Sequence, residues 1–177
     1  MNELRDSGVD PLIIDAGDLF FSTANLNSTN KKSELYRAGA ILEGYNRVGC
    51  DAINVGHYEV LNGLSFLKSM EEKTEIPFLS ANLRDSQTNK LLFEPFRIIE
   101  KGLLKIGIVG VTDKLPDSTK SMIADNYVEA GNHYIDEASK QADIIVIMVN
   151  SNRKTYSELP TLFANADIIV TSGSTNM

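Results

Sequence analysis

Four short apolar segments of the chain are each followed by polar residues that could bind a ligand or a metal ion. The segments are residues 12–14 before Asp18, 52–55 before His57 and Tyr58, 143–149 before Asn150, and 167–170 before the run Thr171-Ser172-Gly173-Ser174-Thr175-Asn176. Because the carboxyl ends of parallel strands share one edge of a sheet, we expect these groups to lie close together. The sequence therefore predicts a polar pocket at that edge.

Asp18 and His57 are the candidates for binding a cation, since carboxylate and imidazole groups are common metal ligands. An Asp after a strand also commonly accepts hydrogen bonds from the backbone of a turn, and we prefer that interpretation for Asp18. For His57 we prefer an ordinary hydrogen-bonded side chain. Tyr58 could donate a proton to a bound anion, but a phenol with a pKa of about 10 is a poor acid at neutral pH. We therefore expect Tyr58 to fill the pocket.

Two asparagines and a Ser/Gly/Thr segment could contribute to binding, and the single cysteine is a further reactive residue type to consider. Asn82 and Asn150 can each donate and accept hydrogen bonds, which suits a sugar or a phosphate, although we prefer a role in satisfying backbone groups at strand ends. Residues 172–175 could form an anion-binding nest of backbone amides, or simply a flexible segment. Cys50 has no basic neighbour, so we expect an inert, buried thiol.

The composition favours one acidic globular domain over residues 1–177, with 42% hydrophobic residues to form a core. A net charge of −7 argues against non-specific binding to nucleic acid or to an anionic membrane. The single cysteine excludes an internal disulfide. No apolar run is long enough to span a membrane and no signal peptide is visible, while residues 1–8 resemble the end of a helix. We therefore expect the fold to start upstream of Met1.

Strands and helices are predicted to alternate, which is typical of an α/β fold with a largely parallel sheet. Helical spacing predicts helices over residues 31–48, with Asn30 as N-cap and Gly49 after the end, and over 61–73, 124–142 and 156–164. Apolar runs predict strands over residues 51–55, 77–83 and 103–111, and an edge strand or hairpin within 90–101. Buried strands are expected at 12–14, 53–55, 106–109, 144–147 and 168–170.

Six segments together resemble the 5′-nucleotidase and 2′,3′-cyclic phosphodiesterase branch of the calcineurin-like metallophosphoesterase family. They are residues 12–20 with Asp-Ala-Gly-Asp-x-Phe, 50–60 with Gly-His-Tyr-Glu for Gly-Asn-His-Glu, 78–83 with Ser-Ala-Asn, 105–112 with Lys-Ile-Gly, 142–150 and 166–175. Agreement in order and spacing at six places is far more specific than one motif. The resemblance implies a sandwich of mixed, largely parallel sheets flanked by helices, with a two-metal hydrolytic site at the strand ends. It also implies an incomplete N-terminus, because the family's opening Asp-x-His strand would precede Met1.

The chain departs from this family at most of the metal-binding positions. Asp18 stands where the family has its bridging aspartate, whereas the metal-binding Asn and the catalytic His fall on His57 and Tyr58. The other family histidines that fall within the chain are replaced by Asn150, Gly173 and Thr175. The resemblance therefore implies a residual pocket with no catalytic residue and no metal pair, in which only Asp18 and His57 remain as candidate ligands.

We accordingly expect a non-catalytic binding or scaffolding module without a cofactor. Its ligand could be a small phosphate- or sugar-containing molecule. The alternative is an active phosphoester hydrolase of 5′-nucleotidase type, completed by residues outside this stretch and dependent on a pair of Mn, Zn or Fe ions. A third alternative keeps only a flavodoxin-like ligand-binding domain. The resemblance also suggests a periplasmic or cell-envelope location.

Overall fold

Helices and strands alternate along the chain in a computed structural model that describes Leu4 and residues 6–173. The strands are β1 (Ile14–Asp15), β2 (Ala52–Asn54), β3 (Phe78–Leu79), β4 (Leu83–Asp85), β5 (Phe96–Lys101), β6 (Leu104–Thr112), β7 (Met122–Ala124), β8 (Ile144–Asn150) and β9 (Ile168–Ser172). The helices are α1 (Lys31–Val48), α2 (Leu64–Glu71), α3 (Tyr127–Ser139) and α4 (Leu159–Leu162), and a 3₁₀ turn covers Arg153–Thr155. The predicted α/β class is confirmed.

Two larger sheets form the sandwich. One has the order β1-β2-β3 and is parallel. The other has the order β5-β6-β8-β9, in which β5 is antiparallel to β6 and the other pairs are parallel. The inner apolar faces form one cluster with residues from both sheets, which include Ala52, Leu79, Ile108 and Met148.

A helical layer covers the outer face of each sheet. Ala38 of α1 and Leu67 of α2 belong to the same buried cluster as Ile53 of β2. On the other side, Ile135 of α3 packs in a cluster with Val109 of β6. Successive residues of a strand point to opposite faces, so the continuous apolar runs of β6 and β8 serve both the inter-sheet core and the helical layer. The predicted sandwich flanked by helices is confirmed.

The strand predicted over residues 77–83 is wrong in one respect, because it is divided into two strands. β3 belongs to the parallel sheet, whereas β4 pairs antiparallel with β7, a strand that the sequence pattern did not reveal. Between them, the N–H of Ser80 donates to Glu94 O and that of Ala81 to Gly110 O. These hydrogen bonds pair residues 80 and 81 with segments outside the first sheet, so the chain leaves that sheet after β3.

The predicted full burial of residues 12–14 and 168–170 is also wrong. β1 and β9 are the edge strands of their sheets, and residues 12–14 are only half-buried while Ile168 is 50% exposed. β1 starts only at Ile14. An edge strand lacks a neighbour on one side, and a period-2 or apolar pattern cannot reveal its place in the sheet.

α1 is correct in its bounds and ends at Gly49, whose φ of 70° lies in the left-handed region. The Asn30 side chain does not cap the helix; its Oδ1 accepts instead from the N–H of Asn27. The other three helices are shorter than predicted. None of the helices in the described residues combines the length and apolarity that crossing a membrane requires.

Candidate functional site

A cavity of about 550 Å³ lies at the carboxyl ends of β1 and β9. The residues that line it are Gly17, Asp18, Tyr58, Arg153, Tyr156, Thr171, Ser172 and Gly173. Asp18, Tyr58 and Gly173 are residues that the sequence placed in a residual pocket. Arg153 and Tyr156 were not predicted to belong to it. The signal that could have found both is their position only a few residues after the end of β8.

The Asp18 turn has a constrained backbone. Asp18 has a φ of 62° and Gly17 a φ of 101°. A Cβ at Gly17 would lie 2.9 Å from the Cα of Gly56, so this position requires glycine for space as well as for conformation. Asp18 Oδ1 accepts a hydrogen bond of 2.9 Å from the N–H of Tyr58. One oxygen of the Asp18 carboxylate is therefore engaged by the neighbouring loop.

Asp15, which begins the same turn, is also engaged within the protein. Its Oδ1 accepts from the N–H of Gly17 at 2.8 Å, and its Oδ2 accepts from the hydroxyl of Tyr45 at 2.8 Å. Burial raises the pKa of Asp15, and these two hydrogen bonds act in the opposite direction. The carboxylate closes the turn rather than facing the cavity.

Glu59 is fully buried and holds the Asp18 turn through its carboxylate. Oε1 accepts from the N–H groups of Leu19 at 2.6 Å and Phe20 at 3.1 Å, while Oε2 accepts from those of Asp18 at 2.8 Å and Gly56 at 2.9 Å. Burial, and after it the charge of Asp18, raises the pKa of Glu59 to about 7, against the effect of the N–H donors. No role of Glu59 was predicted from the sequence.

His57 and Asn150 connect the loop after β2 to the ends of β8 and β9. The N–H of His57 donates to Asn150 Oδ1 at 2.9 Å, and Asn150 Nδ2 donates to Ser172 Oγ at 3.0 Å. Ser172 Oγ donates in turn to the carbonyl of Gly17 at 2.6 Å. The His57 Nδ1 lies 2.9 Å from the carbonyl of Lys114, which assigns the proton to Nδ1. Asn150 is fully buried, beneath the cavity rather than in its wall.

Asn82 has the same kind of role at the carboxyl end of β6. Its Nδ2 donates to the carbonyls of Thr112 at 2.7 Å and Asp125 at 3.0 Å, and its Oδ1 accepts from the N–H of Thr112 at 3.0 Å. Thr112 Oγ1 donates to the carbonyl of Val55 at 2.5 Å. Asn82 is fully buried and does not line the cavity. These side chains tie the strand ends together.

The remaining predicted site residues are Gly173 and Thr175, and two other residues of types that can bind a metal are His133 and Cys50. Gly173 lines the cavity with a φ of 130°, and its carbonyl accepts from Arg153 Nε at 2.9 Å. Thr175 lies outside the described residues. His133 is on α3, where its ring contacts that of Tyr134. Cys50 is buried, and burial raises the pKa of its thiol to about 12.

Few unused ligand atoms remain in the cavity. Asp18 Oδ2 and the hydroxyls of Tyr58 and Tyr156 make no hydrogen bond to the described residues. Over Leu4 and residues 6–173, no group of three or more His, Cys, Asp or Glu side chains is arranged to hold a metal ion. The side chains of the cavity thus offer one carboxylate oxygen, two phenols, the hydroxyl of Thr171 and a guanidinium.

Comparison with known proteins gives a consistent set of relatives, although no family model matches the chain. It is 29% identical over 144 residues to the protein UshA of Salmonella pullorum, covering 78% of this chain and 24% of that protein. It is 36% identical over 94 residues to a 5′-nucleotidase of Vibrio cholerae, covering 53% of this chain and 17% of the relative. The chain thus spans about a quarter or less of these relatives.

A solved structure shares the fold. The calcineurin-like phosphoesterase YfkN from Bacillus subtilis matches with a TM-score of 0.73 over 96% of this chain and 60% of that one, at 19% identity. Identity at this level establishes the fold alone.

Proposed function

Since this chain is a relative of the 5′-nucleotidase branch of the calcineurin-like metallophosphoesterases, we propose that it is a non-catalytic module that binds a small ligand in the cavity beside Asp18. We also propose that residues 1–177 belong to a single domain and that the protein is located in the periplasm or the cell envelope. It assigns the chain no metal pair and no hydrolytic activity.

The observation that supports this proposal is the use of the donor atoms around the cavity. The side chains of Glu59, Asn82 and Asn150 are engaged with backbone groups or with another side chain. Asp18 has already committed one oxygen to the Tyr58 N–H. Two divalent cations need four to six ligands each, several of them anionic or imidazole. The residues present do not fit such a pair.

The replaced positions support the same conclusion. Tyr58 stands where the family has its catalytic histidine, and its phenol has no hydrogen-bonded base to activate it among the described residues. Gly173 has no side chain to bind a metal, and Asn150 offers only a neutral amide that is already bonded on both sides. Restoring a dinuclear centre would require several new donors at once.

The alternative is a working hydrolase, and the similarity to 5′-nucleotidases favours it. The chain spans 24% and 17% of the two relatives described above, so in a longer protein other segments could contribute ligands. In that case the module would hydrolyse a phosphate ester with a metal pair held partly outside this chain.

Metal content and hydrolysis separate the two. We expect the protein purified with its full natural chain, after dialysis with Mn²⁺, to retain well under one metal equivalent and to release no phosphate from 5′-AMP above the rate without protein. Nearly two equivalents of metal, together with phosphate release that disappears in Asp18→Ala, would establish the alternative. A single cooperative unfolding transition in urea is expected for one domain.

A further inference from the structure

The cavity beside Asp18 has the polar groups and rings of a carbohydrate site, and we propose that its ligand is an uncharged sugar ring. This inference rests on the proposed function, because it assigns a ligand class to the same cavity. Of the two ligand classes that the sequence left open, phosphate and sugar, it selects the second.

The charges of the cavity argue against a phosphate. Among the lining residues in the described part of the chain, Arg153 is the one with a basic side chain, and its Nε already donates to Gly173 O. The Asp18 carboxylate lines the same cavity, and the buried carboxylate of Glu59 is bonded to the Asp18 N–H. With no cations bound, a phosphate dianion would meet one guanidinium and the Asp18 carboxylate, with the buried Glu59 behind the turn, so Coulomb repulsion offsets the attraction.

The unused polar atoms suit hydroxyl groups instead. Asp18 Oδ2 can only accept, the guanidinium of Arg153 can only donate, and the hydroxyls of Tyr58 and Tyr156 can do both. A ring with neighbouring hydroxyls both donates and accepts, so it can satisfy all three kinds of group at once. A neutral ligand also brings no charge of its own into the cavity, so its binding avoids the cost of burying a charge that has no partner.

The two tyrosines supply the apolar contact that a sugar ring needs. Tyr58 and Tyr156 are both half-buried in the wall of the cavity. A tyrosine ring has an apolar face and a polar tip, so it can cover the C–H groups of a sugar while its hydroxyl bonds to a neighbouring oxygen. A volume of about 550 Å³ is in the range of small-molecule sites.

The test is an NMR titration of the ¹⁵N-labelled chain with methyl α-D-glucopyranoside, methyl β-D-galactopyranoside and sodium phosphate. We expect at least one glycoside to shift the backbone signals of Gly17, Tyr58 and Tyr156 in a saturable way at millimolar concentration, and phosphate to leave them unchanged. Shifts from phosphate alone, or no saturable shift from either glycoside, would overturn the proposal.

Matched variants locate the binding. Tyr156→Phe, which removes one hydroxyl, should weaken the glycoside by about fivefold, and Asp18→Asn by about tenfold. Asn tolerates the left-handed backbone of Asp18 and keeps the oxygen that accepts from Tyr58, so the fold is preserved. Tyr36→Phe, at a tyrosine that is 81% exposed on α1, should leave the affinity unchanged. Equal loss in Tyr36→Phe and Tyr156→Phe would contradict the assignment.

Failure of this inference is distinguishable from failure of the proposed function. A chain that carries no metal and releases no phosphate, yet binds neither glycoside, is a non-catalytic module with a different ligand. A chain that turns over 5′-AMP with Mn²⁺ overturns both.

Discussion

The carboxylate of Glu59 accepts a hydrogen bond of 2.8 Å from the backbone N–H of Asp18, 41 positions earlier in the chain. Together with the three other N–H groups that it accepts, this bond makes Glu59 the anchor of the turn that carries Asp18 into the cavity. The shape of the candidate site therefore depends on a residue that does not line it.

Glu59→Gln should destabilise the fold strongly. The new amide keeps one acceptor oxygen but points an NH₂ group at two backbone N–H groups, which then lose their acceptor in a buried place. We expect a loss of about 3 kcal/mol in the free energy of unfolding, measured in urea. Glu43→Gln is the matched control, because Glu43 pairs with Arg47 on the exposed surface of α1 and should cost less than about 0.5 kcal/mol. Similar losses in the two variants would contradict the anchoring role.

The free energy of unfolding should depend on pH through the titration of Glu59. Its pKa is about 7 in the folded protein against 4.5 for a free Glu, so the folded state binds the proton more tightly. The resulting stabilisation is complete below pH 4.5 and is lost as the pH rises to 7, a change of about 3 kcal/mol. Burial raises the pKa of Asp15 as well, so the quantity to measure is the difference between the wild-type and Glu59→Gln slopes. If Glu59→Gln does not fold, ¹³C NMR titration of the Glu59 carboxyl gives the pKa directly; a value near 4 would refute the prediction.

Gly17 and Gly44 should respond in opposite directions to alanine. At Gly17 the φ of 101° is unfavourable for alanine, and the added Cβ would lie 2.9 Å from Gly56 Cα, so we expect a loss of about 2 kcal/mol or more. Gly44 is an exposed helical residue with open space around its Cα, and alanine there should stabilise by up to about 1 kcal/mol. Urea unfolding of both variants checks the signs. A Gly17→Ala protein as stable as the wild type would show that the turn can relax.

Much of the fold could be predicted because local patterns are sufficient for it. The helical spacing of apolar residues in α1 and the Gly49 after it predict that helix correctly, and the continuous apolar runs predict β6 and β8. The pairing of β4 with β7 could not be predicted, because each has only three residues and they are far apart in sequence. The place of a strand within its sheet could not be predicted from the sequence either. β9, for example, was expected to be buried but is partly exposed at the edge of its sheet.

The site was harder to predict than the fold. The residues Asp18 and Tyr58 were identified because they follow strands, and the structure places both in the cavity wall. A glutamate after Gly56-His57-Tyr58 gives no sign in sequence that it is fully buried, since its partners are backbone N–H groups that any residue has. The role of Glu59 therefore depends on the folded path of the chain.

Asn150→Asp should be destabilising in a pH-dependent way. The substitution keeps the oxygen that accepts from the His57 N–H but removes the donor to Ser172 Oγ. It also places a second carboxylate near Glu59, because a Cβ at Gly56 would lie 2.8 Å from both Asn150 Nδ2 and Glu59 Oε2. Two buried carboxylates repel, so one of them should hold a proton.

We therefore expect a loss of about 3 kcal/mol in the free energy of unfolding at about pH 8, and a smaller loss at about pH 5, where the pair is protonated. Asn25→Asp, at an exposed residue, is the control and should change stability by less than about 0.5 kcal/mol at either pH. A loss in Asn150→Asp that is independent of pH would mean that the new carboxylate reaches water instead of sharing the buried site with Glu59.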